Sequence, residues 1–274
     1  MDTISAGSLE GQAPDSPATP VELQPFVRAM GRMLQRLSEA MRQQRNFVAY
    51  ASHELRTPLA VAKSTLQAAH SQRRSAPEYA LAIERAMEDL ERLERLAEQL
   101  LVLARLEGPI DESAWQPVSL KDLVGDLGEQ YLAMAARTGG TIRWQTLPGQ
   151  VRGDADQLER MVSNLIDNAI KHGPERGEVT VSMHQPDYGH VCIRVHDAGG
   201  AIPATAIGRL FDPFFRVSGA RDRATGGAGL GLAMVREIVH RHHGQVAVRS
   251  TPQTGTEFVI TLPCLPEPAR AAGA

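Results

Sequence analysis

Cysteine is nearly absent from this 274-residue sequence. Cys192 and Cys264 are its only two, and they have neither the spacing of a zinc site nor the density of a disulfide scaffold. The expectation is two buried thiols in a reducing compartment. Aromatics are scarce as well, with six Phe, four Tyr and two Trp. Long apolar runs are missing: the longest, Tyr131 to Ala136, is six residues, against the roughly 18 to 20 that a membrane-spanning helix needs. There is also no basic start followed by an apolar stretch, which excludes a recognisable signal peptide. Nor is there a surplus of charge of one sign. The 29 basic and 32 acidic residues leave a net charge of −3, too balanced for a nucleic-acid coat or an acidic tail. What remains is an apolar content of 42%, ordinary for a globular chain, and a length comfortable for two domains.

The first nineteen residues carry Gly7, Gly11, Pro14 and Pro17 and no aromatic, so they bury too little apolar area to offset ordering entropy and read as flexible. Thr19-Pro20-Val21-Glu22 has the form of a helix start, with a Thr cap, Pro at the first position and Glu reaching back. A long helix follows. Val27, Leu34, Met41, Val48, Leu55, Ala62 and Ala69 occupy heptad a positions, and Met30, Leu37, Gln44 and Ala51 occupy d, a seam with one polar place. Some fifty residues of helix would extend about 75 Å, more than a single small domain covers. Ser75-Ala76-Pro77-Glu78 repeats the capping pattern. A second seam then runs through Ile83, Ala86, Leu90, Leu93, Ala97, Leu100 and Ala104 until Gly108-Pro109 stops it. Two such helices form a hairpin with apolar surface left open, and a homodimeric four-helix bundle would close it.

After a linker over 108–117 the periodicity changes. Helical stretches at about 119–137, 155–172 and 229–242 alternate with period-two segments at 141–145, 178–184, 190–196, 245–250 and 256–262. This describes a separate α/β domain. Its glycines crowd between 199 and 231, where a ligand lid is expected.

Five constellations carry chemistry. In Ser52-His-Glu-Leu-Arg-Thr-Pro-Leu59, His53 falls at heptad f, furthest from the seam, where a core histidine would not sit. Either it is a plain surface histidine or a poised nucleophile: Glu54 could orient the ring and take the proton from one nitrogen while the other attacks. Pro58 weakens the helix beside it by about 3 kcal/mol. Next, Asn164 and Asn168 stand one above the other on a helix face with Lys171 a turn later. That is a polar face, or a platform of neutral oxygen ligands and a cation for a Mg²⁺-triphosphate. Asp197 ends an alternating strand, as a turn residue or as an acceptor for an adenine amine. Leu210-Phe211-Asp-Pro213-Phe214-Phe215-Arg216 concentrates three aromatics, at least one of them a core anchor. Finally, Gly226-Gly227-Ala228-Gly229-Leu230-Gly231 runs into a helix, whose N-terminal amides attract phosphate. A cluster of His240, His242 and His243 lacks an accompanying acid or cysteine, and Gly244 suits a helix cap better than a zinc site.

In this order the segments resemble the boxes of the sensor histidine kinases of two-component systems, over residues of about 25–265. The resemblance implies an α+β protein: a helical-hairpin dimerisation domain, a four-helix bundle in the dimer, followed by an α/β-sandwich ATP-binding domain of the GHKL type. It divides the chain into a flexible 1–19, a HAMP-like helix over 20–46, a phosphotransfer domain over 47–107, a linker over 108–117, a catalytic domain over 118–265 and a tail from 266. It makes His53 the phosphoacceptor, Glu54 its general base and Thr57 the residue that positions water for dephosphorylating the partner. It assigns Asn168 to Mg²⁺ with Asn164 in support. Lys171 and His172 fall to the phosphates, Asp197 and Gly199 to the adenine, and Arg216 to the transferring group. Gly227, Gly229 and Gly231 belong to the lid, and Thr256 lies near the base. ATP and Mg²⁺ are the cofactors implied.

The partners implied are a response-regulator receiver domain and a second copy of this chain, with no nucleic acid. Asn164 stands where related ATPases carry a water-activating Glu, which implies slow hydrolysis. The family's second glycine in Asp-x-Gly-x-Gly is Ala201 here, at a cost of about 1 kcal/mol if that backbone needs positive φ. That leaves open a non-catalytic scaffold, a phosphatase alone, or a plain ATPase. The HAMP-like start raises the expectation of a cytoplasmic output portion whose membrane sensor lies outside this sequence.

Overall fold

In a computed structural model of the chain, the described residues are 20, 23–73, 75–138, 140–174, 176–187, 189–217 and 227–266. The reading of the first nineteen residues, and that of the tail from 267, lies outside them, as do Val21 and Glu22. Helix α1 spans Gln24–His70, with Leu23 at its N-cap and a proline, Pro25, in its first turn. The start expected at Thr19-Pro20-Val21-Glu22 falls, Pro20 apart, outside the described residues; the Leu23 amide donates to the Pro20 carbonyl at 2.9 Å. The helix continues unbroken through Pro58, whose ring is buried. Helix α2 spans Ala76–Leu106 and begins at the expected cap: the Ser75 amide and hydroxyl donate to the Glu78 carboxylate at 2.8 and 2.7 Å.

The two helices pack as a hairpin through small side chains. Ala62 and Ala69 of α1 and Ala82 and Ala86 of α2 are buried, while Leu34, Leu37, Leu59, Leu66, Ile83 and Leu90 stay exposed. Alanines allow close approach; the bulky apolar residues are left facing outward, so the hairpin does not bury its own seam.

A single 3₁₀ turn, Glu112–Ala114, leads into the second unit. There β1 (Gln116–Ser119) pairs antiparallel with β3 (Gln150–Gly153), and a five-stranded sheet has the order β2-β4-β5-β7-β6. Its strands are β2 (Thr141–Gln145), β4 (Glu178–Asp187), β5 (His190–Asp197), β6 (Gln245–Thr251) and β7 (Gly255–Pro263). β2 runs parallel to β4, and every other pairing is antiparallel.

The register places Val181, Val195, Phe258 and Val248 in one row and Met183, Ile193, Ile260 and Val246 in the next. Helices α3 (Leu120–Thr138), α4 (Ala155–His172) and α6 (Gly231–Arg241) cover that face. α4 contributes Leu158, Met161, Val162, Leu165, Ile166 and Ala169, all buried. A four-residue helix, α5 (Ala204–Ile207), precedes the aromatic run. The same core takes in Leu96, Leu103 and Leu106 of α2, so the lower half of the hairpin is seated on the α/β unit.

Cys192 is buried as expected, but Cys264 is half exposed, because β7 ends at Pro263 and leaves it at the sheet's margin. The expected lid region is irregular from Gly208 to Leu230 where described; residues 218–226, including Gly226, lie outside the described set.

Candidate active site

A cavity of about 420 Å³ opens between α4, the start of α6 and the end of β5, a size suited to a small ligand. Ten of the residues singled out in the sequence line it: Asn164, Asn168, Lys171 and His172 from α4, then Asp197, Arg216, Gly227, Gly229, Gly231 and Thr256. Helix periodicity puts the α4 residues on one side, and β5–β7 register sets Asp197 opposite Thr256.

The deep end is built around Asp197, which is 3% exposed. Burial pushes its carboxyl above the usual carboxylate range, while the Gly199 amide, donating to Oδ1 at 2.8 Å, pulls the other way. Gly199 is not in the cavity wall. Its lack of a side chain lets the backbone fold over this end: a Cβ there would stand 2.5 Å from both Asp197 Oδ1 and the His172 carbonyl. Gly255, at φ +75°, is equally constrained, since a Cβ would strike the Asp197 carbonyl. Thr256 is buried, and its hydroxyl meets Ser250 Oγ at 2.8 Å; Ser250 Oγ in turn accepts the Ile202 amide at 2.9 Å. This chain ties the loop after β5 to the floor.

The Ala201 concern is removed by the backbone. Among the described residues the only non-glycine positions with positive φ are Arg176, Phe214 and His243. Ala201 carries no left-handed strain, and Gly200 absorbs none.

On α4, Asn164 Nδ2 donates to the Arg160 carbonyl at 2.8 Å, and its Oδ1 would lie 2.9 Å from a Cβ at Gly231. The amide of Asn168 makes no hydrogen bond to another described residue, so its oxygen is available to a ligand. That uncommitted neutral oxygen, in a wall that also holds Lys171, fits the donor chemistry of a phosphate-bound Mg²⁺. A Cβ at Gly227 would come within 2.6 Å of Lys171 Nζ, so the absence of a side chain there leaves room for the ammonium in the cavity wall. Asp167, between the two asparagines, accepts from Tyr131 at 2.7 Å, and burial raises its carboxyl pKa.

Arg216 lines the cavity at the end of the aromatic run. That run is held by Phe211, edge-on to Phe258 at 6.4 Å, and by the Phe214 amide donating to the Gly229 carbonyl at 2.9 Å. Gly229 has φ +75°, and a side chain there would press on the Phe214 and Phe215 backbone.

His53, Glu54 and Thr57 do not line this cavity. They stand together on α1, where the His53 side chain is 74% exposed and its Nδ1 lies 3.5 Å from Glu54 Oε1. Thr57 Oγ1 donates to the His53 carbonyl at 3.1 Å. The two groups are nevertheless neighbours. Gln99 of α2 forms part of the cavity wall, and the Phe214 ring packs on Phe47 at 5.6 Å and on Tyr50 at 5.9 Å. Phe47 precedes His53 by six residues, about 9 Å along a helix axis.

Sequence reasoning missed Gln99, Phe47, Tyr50 and the Ser250 link, whose roles arise from tertiary adjacency. The histidine cluster is no metal site. His242 is buried; its Nδ1 donates to the Ile238 carbonyl at 2.8 Å, and its Nε2 accepts the Asp154 amide at 3.1 Å. Its ring lies flat on Trp115 at 4.8 Å, while His243 pairs with Glu112 at 2.9 Å. No metal-holding group of acids, histidines or cysteines occurs among the described residues.

An exposed histidine-acid pair on a hairpin, set beside a cavity walled by amides and glycines, has close counterparts among known proteins. Residues 43–109 match the His Kinase A (phospho-acceptor) domain, and 153–266 match the Histidine kinase-, DNA gyrase B-, and HSP90-like ATPase family. The Sensor histidine kinase CusS of Escherichia coli is 34% identical over 91% of this chain and 52% of its own length. The Sensor protein kinase WalK of Staphylococcus epidermidis is 35% identical over 81% of this chain and 37% of its own. This chain therefore spans about half or less of the curated relatives it matches. Full-length ShkA, solved in complex with AMPPNP, is similar with a TM-score of 0.60 and 25% identity, covering 82% of this chain and 47% of that one. With both family models matched in the order hairpin then α/β unit, and with the fold to hold them, this chain belongs to the sensor histidine kinases.

Proposed function

We propose that this chain is an ATP- and Mg²⁺-dependent protein histidine kinase that phosphorylates His53 and passes the phosphoryl group to an aspartate of a response-regulator receiver domain. The observation that carries the reading is the adjoining of two half-sites: a cavity whose wall includes Gln99 of the hairpin, and an exposed imidazole on the paired helix of that hairpin.

ATP enters with its adenine amine at Asp197, and the Thr256 hydroxyl lies beside the base. The Lys171 and His172 side chains and the amides of Gly229 and Gly231 meet the phosphates. The Asn168 amide oxygen, with Asn164 behind it, is the ligand offered to Mg²⁺, which when bound neutralises phosphate charge. Glu54 holds the Nδ1 proton of His53, leaving the Nε2 lone pair for attack on the γ-phosphorus. The bond to the bridging oxygen breaks, ADP leaves with the electron pair, and the Nδ1 proton passes to Glu54. Arg216 stabilises charge on the moving group, so catalysis rests on positioning and electrostatics. A neutral amide at 164 has no basic group with which to activate water, which keeps the phosphoryl group for His53. Thr57 serves the reverse traffic by positioning water against the phosphorylated regulator.

The working unit is a homodimer through the hairpin seam, with residues 47–107 as the dimerisation and phosphotransfer domain and 118–265 as the catalytic domain. ATP dependence places its work in the cytoplasm. No helix among the described residues is long and apolar enough to cross a membrane, so membrane attachment of the whole receptor would come through other segments.

The test is to incubate the chain with γ-labelled ATP and Mg²⁺ beside His53→Gln. Acid-labile, alkali-stable label on the parent alone is expected, and a receiver domain should then remove it. A folded dimer that takes no label overturns the reading; steady phosphate release that survives His53→Gln would instead make it an ATPase.

A further inference from the structure

Arg241, the last residue of α6, is 7% exposed, yet its guanidinium is spent on the other structural unit. Nη1 donates to the Leu106 carbonyl at 2.6 Å and to the Gly108 carbonyl at 2.9 Å, and Nη2 reaches the Pro109 carbonyl at 3.5 Å. Leu106 is the last residue of α2, and Gly108 and Pro109 begin the connection that follows it. The last carbonyls of a helix have no intrahelical partners. Here Leu103 O receives the Glu107 amide, Arg105 O receives the Gly108 amide, and Leu106 O receives Arg241 from 135 residues away. A cation at this position also complements the negative end of the helix. Neighbouring contacts clamp the same place: Trp115 lies on His242, and Glu112 meets His243. The connection between hairpin and α/β unit is therefore fastened along its length to the C-terminal end of α6.

The opposite end of α6 is the cavity. Gly229, Leu230, Gly231 and Leu232 all line it, and eleven residues of helix make a strut of about 16 Å. One end of that strut holds the phosphate-facing amides; the other is bolted to the helix that pairs with the one carrying His53.

We propose that Arg241 is a positioning residue for phosphoryl transfer: by capping α2 it fixes the pivot about which the nucleotide cavity approaches His53. The inference rests on the kinase reading above. Transfer between tethered groups depends on their effective concentration, which falls as the tether gains freedom. Releasing Arg241 widens the volume that the γ-phosphoryl explores and lowers the transfer rate, while the adenine and phosphate contacts are unchanged.

The test uses the full chain with Arg241→Met, which keeps most of the buried stem, and Arg241→Lys, which restores a donor. Single-turnover labelling of His53 is measured at saturating ATP, and affinity for an ATP analogue is measured by direct titration. The Met variant should label about three- to tenfold more slowly with unchanged nucleotide affinity, and Lys should recover part of the loss. Equal labelling rates in parent and Met variant overturn the proposal and leave the kinase reading intact. A parent that takes no label fails the kinase reading, and this one with it. If Arg241→Met loses nucleotide binding altogether, Arg241→Lys becomes the test, since one ammonium cannot hold all three carbonyls: it must bind the analogue as the parent does and label His53 more slowly, and an unaffected rate again overturns the proposal.

Discussion

The hairpin and the α/β unit solve the problem of burial in opposite ways. In the α/β unit the large apolar residues are inside: Phe258, Leu158, Met161, Ile193 and Ile260 are essentially inaccessible. In the hairpin the buried residues are mostly alanines, and Leu34, Leu37, Leu66 and Leu90 are roughly half exposed. One half closes its core, drawing in Leu96, Leu103 and Leu106 from the foot of α2, and the other leaves an apolar seam open that a partner helix would cover. The chemistry divides along the same line. The residues proposed to bind nucleotide line a cavity of the α/β unit, while His53, the proposed phosphoacceptor, stands exposed on the hairpin.

Paired substitutions should separate these two kinds of stability. Phe258→Ala removes an aromatic from the centre of the sheet and should cost about 3–5 kcal/mol, enough to unfold or nearly unfold the α/β unit. Leu34→Ala with Leu37→Ala should leave the melting of that unit unchanged and weaken the dimer, since each leucine covered by a partner helix is worth roughly 1.5–3 kcal/mol. Calorimetry and sedimentation measured on both variants give the crossover. If the leucine variant melted earlier at a fixed, fully dissociating concentration, the hairpin would be using those side chains within one chain, and the contrast would fail.

How much could be read from the sequence follows the same physics. Long periodic stretches gave α1 to α4, α6 and all five strands of the main sheet, because a seam or alternation repeated over many residues outweighs local accident. β1 and β3 left no such trace. Each is four residues long, β1 contains Pro117, and their only buried apolar residues are Val118 and Val151. Their pairing, Gln116 with Gly153, is a long-range fact. The cavity residues were legible where a motif concentrates them on one helix face, as at Asn164, Asn168 and Lys171. Gln99 and Arg241 were not, because one is a polar residue on a helix and the other a basic residue near a helix end until tertiary structure brings them against the other unit.

A smaller effect probes the seam between the two units. His242 is fully hydrogen-bonded as the neutral ring, and burial lowers its pKa from the usual 6.5, opposed by the Ile238 carbonyl and Asp154 and reinforced by Arg241 and His243. The unfolded chain takes up the proton near pH 6.5 and the folded chain resists it, so protons favour unfolding. Stability is full above about 6.5, declines by at most about 1.4 kcal/mol per pH unit below it, and levels off under the folded pKa. Thermal midpoints from pH 7.5 to 5.0 should fall more steeply for the parent than for His242→Gln. Parallel slopes would mean that the ring accepts its proton in place, and that the junction at Trp115 and Asp154 is looser than its geometry.

The smallest expected change lies where the family pattern is broken. The two positions of the motif differ: Gly199 cannot gain a side chain without striking Asp197 and the His172 carbonyl, whereas Ala201 is exposed and has no positive φ. Ala201 lines the cavity with an unstrained backbone, so removing its Cβ relieves no strain. Ala201→Gly should leave the affinity for an ATP analogue within about twofold and lower stability by up to about 1 kcal/mol, through the extra freedom of the unfolded chain. Calorimetric titration beside a melting curve reads both. A tenfold gain in affinity would instead mean that this loop turns to positive φ when nucleotide arrives, so that the rigid half of the molecule must itself rearrange before it can act on the exposed one.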